Sequence, residues 1–516
     1  MRLIPATEPA AAPAPPDAPV DQRPLPLKRP VHIALGLVAP AALLVLNMVR
    51  AAPLTIDDSY ISFRYARNLA HGLGLVYNAG ERIEGYTNFL WTLLMAAAIK
   101  LGLDPVVTAK LLGGAAALGA LVVVWRLSER LLPFRWAPAM ATWLLASSMG
   151  FAGYAVLGLE TLLFTFLLLL GLWLLARELD APERFPLSGI AYALAGLTRP
   201  EAPLFLGMAM LLLGKRMLAR QNLIRAAIFA GVVGAHLLWR HSYYGAWLPN
   251  TFSAKTGDLH DQSIRGVEYV LGWVDKAGAV FWFALLGATL AVAKRNWLAL
   301  TAGATALATV IYVIVVGGDW MPVFRFLVPF EPFAFLLVDY GLRSAFESRS
   351  RAVLVALTLF CVGTGLARER VDREQTLEIL STKHDWDQAA GSLVSWFEQT
   401  NRPGTVAIGD IGYVGWATDY PVLDILGLVD PVIARLPGGM FVKQGPQYLD
   451  YFFTRMPEYF ILISSMGDCD HPFHPAIAAV YRDPQGRLKA NYQVVQRLPL
   501  GTGGLGWCVY ARKEQP

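Results

Sequence analysis

The chain has 516 residues, 55% apolar and only 16% charged, against roughly 25% charged in soluble domains. Apolar runs of about 20 residues, enough to cross a bilayer, recur from Val31 to about Ala367, which excludes a soluble enzyme, a disordered protein and a small disulfide scaffold. The formal charge is 44 − 39 = +5 and there are three cysteines, too few for a disulfide framework.

In chain order, residues 1–27 are Ala/Pro-rich and predict a disordered tail. The first apolar run starts only after Lys28-Arg29 and carries no clear cleavage site, so Val31–Met48 predicts a retained first span with a cytoplasmic N-terminus. The polar stretch Arg50–Asn88 follows. Next comes Phe89–Leu103, which contains Lys100 and at about 15 residues is short for a span. It is predicted to lie in the outer interface, giving a first outer loop over 50–104. Further spans are predicted near 105–125, 136–156, 159–176, 187–198, 201–213, 224–240, 267–292, 297–316, 324–341 and 352–367, eleven in all with the first. The expected fold class is an α-helical polytopic membrane protein over 28–367, followed by a C-terminal α/β domain over 368–516. In that domain Trp386–Gln399 has helical spacing. Thr405–Ile408, Pro421–Ile425, Tyr459–Ile463, Tyr492–Val495 and Trp507–Ala511 read as strands.

Placing the basic residues fixes the orientation. With Phe89–Leu103 in the interface, fourteen Lys and Arg from Arg126 to Arg351 fall at cytoplasmic loop ends. Five, namely Arg199, Arg240, Lys255, Arg265 and Arg325, fall at outer ends. That bias follows the positive-inside rule and puts the C-terminal domain outside. The net +5 therefore records orientation and does not call for a nucleic-acid partner.

The outer loops also gather the carboxylates. Asp57-Asp58 stands just after the first span. One carboxylate of such a pair can act as a general base while the other orients it or binds a divalent cation. A helix N-cap is the plain alternative, and the two roles are compatible. Arg199 and Glu201 sit in the apolar stretch Leu187–Leu213, where Pro200 and Pro203 break the helix. Charges at membrane depth cost about 2.5–3.5 kcal/mol each on insertion scales, so the pair is either functional or a structural ion pair. Arg325 lies six positions after Asp319; its planar fork suits a phosphate, and an ion pair with Asp319 is the alternative. Lys255 follows Asn250 on a loop rich in Tyr and Trp. Glu160 reads either as a site residue or as a helix-start charge. His236, His241, His471 and His474 fit no metal spacing. Cys469 and Cys508 share the outer domain and can pair, whereas Cys361 reads as a buried residue of a span.

The stretch DDSYISFRYARNLAHGLGLVYNAGERIEGYTNFLW, from Asp57 to Trp91, resembles the polyprenyl-phosphate-sugar-dependent glycosyltransferases of the GT-C superfamily, nearest the mycobacterial terminal β-arabinofuranosyltransferase group. Further pieces follow in the same order: GLET at Gly158–Thr161, RPE at Arg199–Glu201, YYGAWLPNTFSAK at Tyr243–Lys255, GGDWMP at Gly317–Pro322 and LDILGLVDP at Leu423–Pro431. The resemblance runs from about residue 50 to about residue 435. It implies a site facing away from the cytoplasm, fed by a sugar on a polyprenyl phosphate, with the essential first-loop Asp at Asp57 or Asp58. The segment EGYTNF departs from the arabinosyl enzyme, leaving arabinofuranose or another sugar as the group transferred.

The resulting expectation is a glycosyltransferase of a bacterial inner membrane, with N-terminus cytoplasmic and site extracytoplasmic. It would act on an envelope glycan, lipid or protein. Asp57 or Asp58 would be the base, with a divalent cation as a further possibility at the pair. Arg199, Lys255 and Arg325 are candidates for the donor phosphate, and Glu84, Tyr86, Asn88, Glu160, Glu201, Asn250 and Asp319 for sugar or acceptor. The rival readings are a transporter or flippase of lipid-linked sugars and a ligase moving a whole glycan. Against the transporter, the polar clusters lie at one face and no inverted repeat is visible.

Overall fold

A computed structural model of the chain describes residues 28–131, 138–255, 257–346, 363, 390–400, 403–440, 442–465, 468–473, 475–500 and 505–513. The expected tail, nearly all of the expected span 352–367, and Cys361 and His474 lie outside the described residues.

The first helix, α1 (Arg29–Ala51), contains a π-turn over Ala34–Val38 just before Pro40. α2 (Asp57–Ala70) opens the loop after α1 with both carboxylates in its first turn, where the helix dipole favours them. α3 (Phe89–Lys100) has 12 residues, about 18 Å of helix, shorter than a bilayer core of about 30 Å. α4 (Pro105–Leu131) is long and apolar. α5 (Met140–Ser147) and α6 (Met149–Tyr154) follow, then α7 (Thr161–Asp180), α8 (Leu187–Thr198), α9 (Ala202–Leu211) and α10 (Arg220–Tyr244). The short α11 (Asn250–Lys255) leads into α12 (Leu259–Ala277), α13 (Ala279–Ala293), α14 (Trp297–Val316) and α15 (Glu331–Phe346).

The chain is a multi-pass membrane protein, and several expected spans take a different shape. Against the eleven predicted, five described helices are long and apolar enough to cross a membrane: α1, α4, α7, α10 and α14. The stretch expected to span over 267–292 is instead the pair α12–α13, bent by 100° at Gly278, whose φ of 53° and ψ of −127° suit a residue without a Cβ. The span expected over 136–156 breaks at Ser148, which is extended and caps α6. The span expected over 324–341 becomes α-helical only at Glu331, because Arg325–Leu327 form a 3₁₀ turn first.

The C-terminal part holds all five expected strands. β1 (Val406–Ile408), β2 (Val422–Asp424), β3 (Tyr459–Ser464), β4 (Tyr492–Leu500) and β5 (Leu505–Arg512) make one sheet in the order β2-β1-β3-β5-β4. The β2-β1-β3 half is parallel and the β3-β5-β4 half antiparallel. α16 (390–400), α17 (Tyr413–Ala417), α18 (Pro431–Arg435), α19 (Pro446–Arg455), α20 (Pro475–Tyr481) and α21 (Arg487–Asn491) accompany it. Cys469 and Cys508 are disulfide-bonded.

Among the described residues there are two large hydrophobic cores and a small third one, of Phe63, Ala66, Trp91, Met95, Ala96 and Ala109. One large core fills the helical part, from Leu44 to Leu342. The other joins sheet residues such as Ile408, Phe460 and Trp507 to Ile61, Tyr65, Leu75, Tyr77 and Tyr86 of the loop between α1 and α4. The loop and the C-terminal domain are therefore one apolar unit.

Candidate active site

A helix turns about 100° per residue, so Asp57 and Asp58 leave α2 in different directions. Asp57 shares its face with Tyr60, Arg64 and Arg67, and that face is covered by α17. Asp57 Oδ2 accepts from the Gly412 amide at 3.0 Å and Oδ1 from the Tyr413 amide at 2.8 Å. It thus caps α17, a helix that lies 355 residues further along the chain, in place of its own. The Arg64 guanidinium donates to the carbonyls of Tyr77, Gly415 and Tyr420 at 2.9, 2.7 and 2.9 Å. The Tyr60 and Tyr413 rings meet edge to face, centroids 5.1 Å apart. A Cβ on Gly412 would lie 2.0 Å from the Asp57 carbonyl, and one on Gly415 1.8 Å from Tyr77 Oη. These two glycines permit the close approach.

Asp58 turns to the interior. It is half-buried, and among the described residues its carboxylate has no hydrogen-bond or ion-pair partner. Burial raises its pKa above the ordinary carboxylate value, with Lys255 and Arg325 opposing and Asp57 and Asp319 reinforcing. Lys255, the last residue of α11, is solvent-accessible. It is nonetheless surrounded by protein: burial lowers its pKa, while Asp58 pulls the other way. Arg325 is buried and ion-paired to Asp319 at 2.5 Å. It follows Val323 and Phe324, both at φ 54°. Consecutive left-handed non-glycine residues are strained, and such strain clusters at functional sites.

Behind Asp58 a buried polar chain leads inward. Ser62, one turn on from Asp58, pairs with Asn88 at 3.1 Å, and Asn88 donates to Glu160 at 2.8 Å. Arg199 then bridges Glu160 at 2.9 Å and Glu201 at 2.5 Å. Burial would raise the Glu160 carboxyl, but Arg199, Arg325 and Asn88 outweigh it and hold its pKa below the usual value. The Phe326 ring has the Arg199 guanidinium at 5.2 Å and that of Arg325 at 4.9 Å, so the two cations converge.

The structure thus brings Asp58, Lys255, Arg325, Asp319, Arg199, Glu160, Glu201 and Asn88 into one neighbourhood. The other candidates are engaged elsewhere. Glu84 is ion-paired to Arg240 of α10 at 2.8 Å, and the Tyr86 hydroxyl meets that of Tyr244 at 3.2 Å. Asn250 spends its amide on the C-terminal domain, donating to the carbonyls of Gly427, Leu428 and Asp430 at 2.9, 3.0 and 3.3 Å. A divalent cation on Asp57 and Asp58 does not suit this arrangement. Both Asp57 oxygens already accept backbone N–H groups, and Asp58 faces two cations. Among the described residues no three His, Cys, Asp or Glu side chains cluster as metal ligands. Gly412 and Tyr413 escaped sequence reasoning, since no spacing rule links positions some 355 residues apart, and Ser62 escaped it because a lone serine on a helix has no signature.

Comparison with known proteins adds to this geometry. A family model described as a domain of unknown function (DUF8728) matches residues 376–512. The chain is 28% identical over 339 residues to a terminal β-(1→2)-arabinofuranosyltransferase of Corynebacterium glutamicum, covering 55% of this chain and 48% of that protein. It is 31% identical over 239 residues to the terminal β-(1→2)-arabinofuranosyltransferase of Mycobacterium tuberculosis, covering 42% and 36%. The chain therefore spans less than half the length of these curated relatives. Among solved structures it matches ArnT from Cupriavidus metallidurans bound to undecaprenyl phosphate, with a TM-score of 0.58 at 12% identity, covering 92% of this chain and 97% of that one. The apo state of the same protein gives 0.57 at 11% identity, with the same coverage. Membrane helices and C-terminal domain together, the chain has the fold of ArnT.

Proposed function

We propose that the protein is a membrane glycosyltransferase that moves one sugar from a polyprenyl phosphate to a hydroxyl of an envelope glycan, lipid or protein. It would work on the extracytoplasmic face of a bacterial inner membrane. The observation that carries this reading is Asp58, a half-buried carboxylate without a hydrogen-bond partner, set among the charges of Lys255 and Arg325. The acceptor oxygen attacks the anomeric carbon while the bond from that carbon to the phosphate oxygen breaks. The acceptor proton passes to Asp58, and the leaving polyprenyl phosphate gains one negative charge. Lys255 and Arg325 stabilise that charge where it develops, which is worth most in a partly dry site. Arg199, Glu160, Glu201 and Asn88 form the polar wall beside them, with Asp319 holding Arg325.

The arabinofuranosyltransferase relatives and the undecaprenyl phosphate in ArnT support a lipid-linked donor, with arabinofuranose as the first sugar to try. The decisive measurement uses protein in proteoliposomes, labelled polyprenyl-phosphoryl arabinofuranose and an arabinofuranoside acceptor. The label is expected to leave the carrier, and Asp58→Asn to lower the rate at least a hundredfold while the protein still inserts; general-base contributions reach about 10²–10⁴. Label that changes leaflet but stays on its carrier would identify a transporter instead.

A further inference from the structure

Neither arm of the site belongs to a membrane-spanning helix. Asp58 is carried by α2 and Lys255 by the six-residue α11, and helices this short do not hold themselves in water. α2 is tied to the C-terminal domain by Asp57 at its first turn, with Arg64 and Arg67 further along, and α11 is tied by Asn250. Asp57 takes the amides of Gly412 and Tyr413, a few residues beyond the end of β1. Asn250 gives its amide to the carbonyls of Gly427, Leu428 and Asp430, a few residues beyond the end of β2.

β1 and β2 are adjacent parallel strands, with Ile408 opposite Asp424, so the two grips stand on neighbouring strand ends about 4.8 Å apart. The second loop is itself braced. Asp424 accepts from the amides of Leu426 and Val429 at 2.8 and 2.9 Å, and Tyr448 donates to the Ile425 carbonyl at 3.1 Å. Asp430 accepts from the amides of Val432 and Ile433, and from the Tyr451 hydroxyl at 2.7 Å.

We propose that Asp57 and Asn250 are positioning residues that lash α2 and α11 to the loops after β1 and β2, so that the C-terminal sheet sets Asp58 against Lys255. The idea rests on the glycosyltransferase reading. It gives each tie a separate effect, because one arm carries the base and the other a phosphate cation.

The test measures kcat with polyprenyl-phosphoryl arabinofuranose and, independently, the Kd for undecaprenyl phosphate. Asp57→Asn is expected to lower kcat about tenfold to a hundredfold, the range for a misplacement of about 1 Å, with Kd kept within about threefold. Removing that charge also lets Asp58 ionise more readily, so the acid limb of kcat/KM moves to lower pH; the split between a lowered kcat and a kept Kd is what a merely structural role would not give. Asp57→Ala, which leaves both amides without an acceptor, is expected to lose more than Asp57→Asn, which keeps one. Asn250→Ala is expected to weaken undecaprenyl phosphate binding about tenfold or more. If the variants lose kcat and affinity in equal measure, or lose neither, the proposal is overturned. Asp58→Asn separates the two levels. Full activity in that variant would sink the base assignment and this idea with it, whereas an inactive Asp58→Asn beside wild-type Asp57 and Asn250 variants would sink only the positioning role.

Discussion

Asp57 and Asp58 are chemically identical neighbours whose environments differ because α2 turns one toward backbone amides and the other toward cations. In the proposed reaction the pH dependence belongs to Asp58 and Lys255. Asp58 must be ionised to take a proton, and burial raises its pKa, so kcat/KM is expected to fall as pH drops through a value above that of an ordinary Asp. Lys255 must stay charged, and burial lowers its pKa, so activity is expected to fall again as pH rises through a value below that of an ordinary Lys. Lys255→Gln removes a charge that favours ionised Asp58. A pH–rate profile of that variant should show the acid limb moved to higher pH and a higher KM for the lipid-linked donor. At this scale the sequence picked out Asp58, Lys255, Arg325 and Arg199, since charges beside apolar runs on one face are conspicuous. It could not divide the labour of the Asp pair. The group that occupies Asp57 is a pair of backbone amides, and backbone amides have no residue signature. Asn250 misled for the same reason, its partners being three carbonyls.

At the scale of elements, the contact of α2 with α17 depends on two glycines. Gly412→Ala and Gly415→Ala place a methyl against the Asp57 backbone and the Tyr77 hydroxyl. Overpacking of this kind costs about 1–3 kcal/mol, so both variants are expected to unfold at lower temperature and to lose activity. Gly391→Ala in α16 meets nothing within 4 Å; it should be neutral or slightly stabilising through helix propensity, and differential scanning calorimetry compares all three. The five strands were legible because their β-branched and aromatic runs are bounded by polar turns. The breaks at Ser148, Gly278 and before Glu331 were not, because hydropathy reports how apolar a stretch is and carries no information on its backbone angles. α12 and α13 are together apolar enough for one span, yet Gly278 turns them through 100°.

The molecule as a whole has a soluble-looking domain that shares its core with a membrane loop. Composition suggested two separable parts. The packing of Tyr65, Tyr77 and Tyr86 among the sheet residues could be seen only in three dimensions. One expectation follows for stability. Cys469 and Cys508 close a loop of 39 residues, worth about 3–4 kcal/mol in the chain-entropy treatment. Cys469→Ser should lower the unfolding temperature of the C-terminal domain, and thermal inactivation should track that transition, since the loop between α1 and α4 loses its core at the same moment. Separate transitions for inactivation and for domain unfolding would show the loop standing alone. The same architecture also has a meaning in time. Asp57 leaves the ribosome 355 residues before Gly412, so a growing chain completes α2 long before the sheet that holds it exists. Under the proposed function, a nascent chain halted before its last domain is made carries Asp58 and Lys255 without the loops that hold them, and is expected to be inactive.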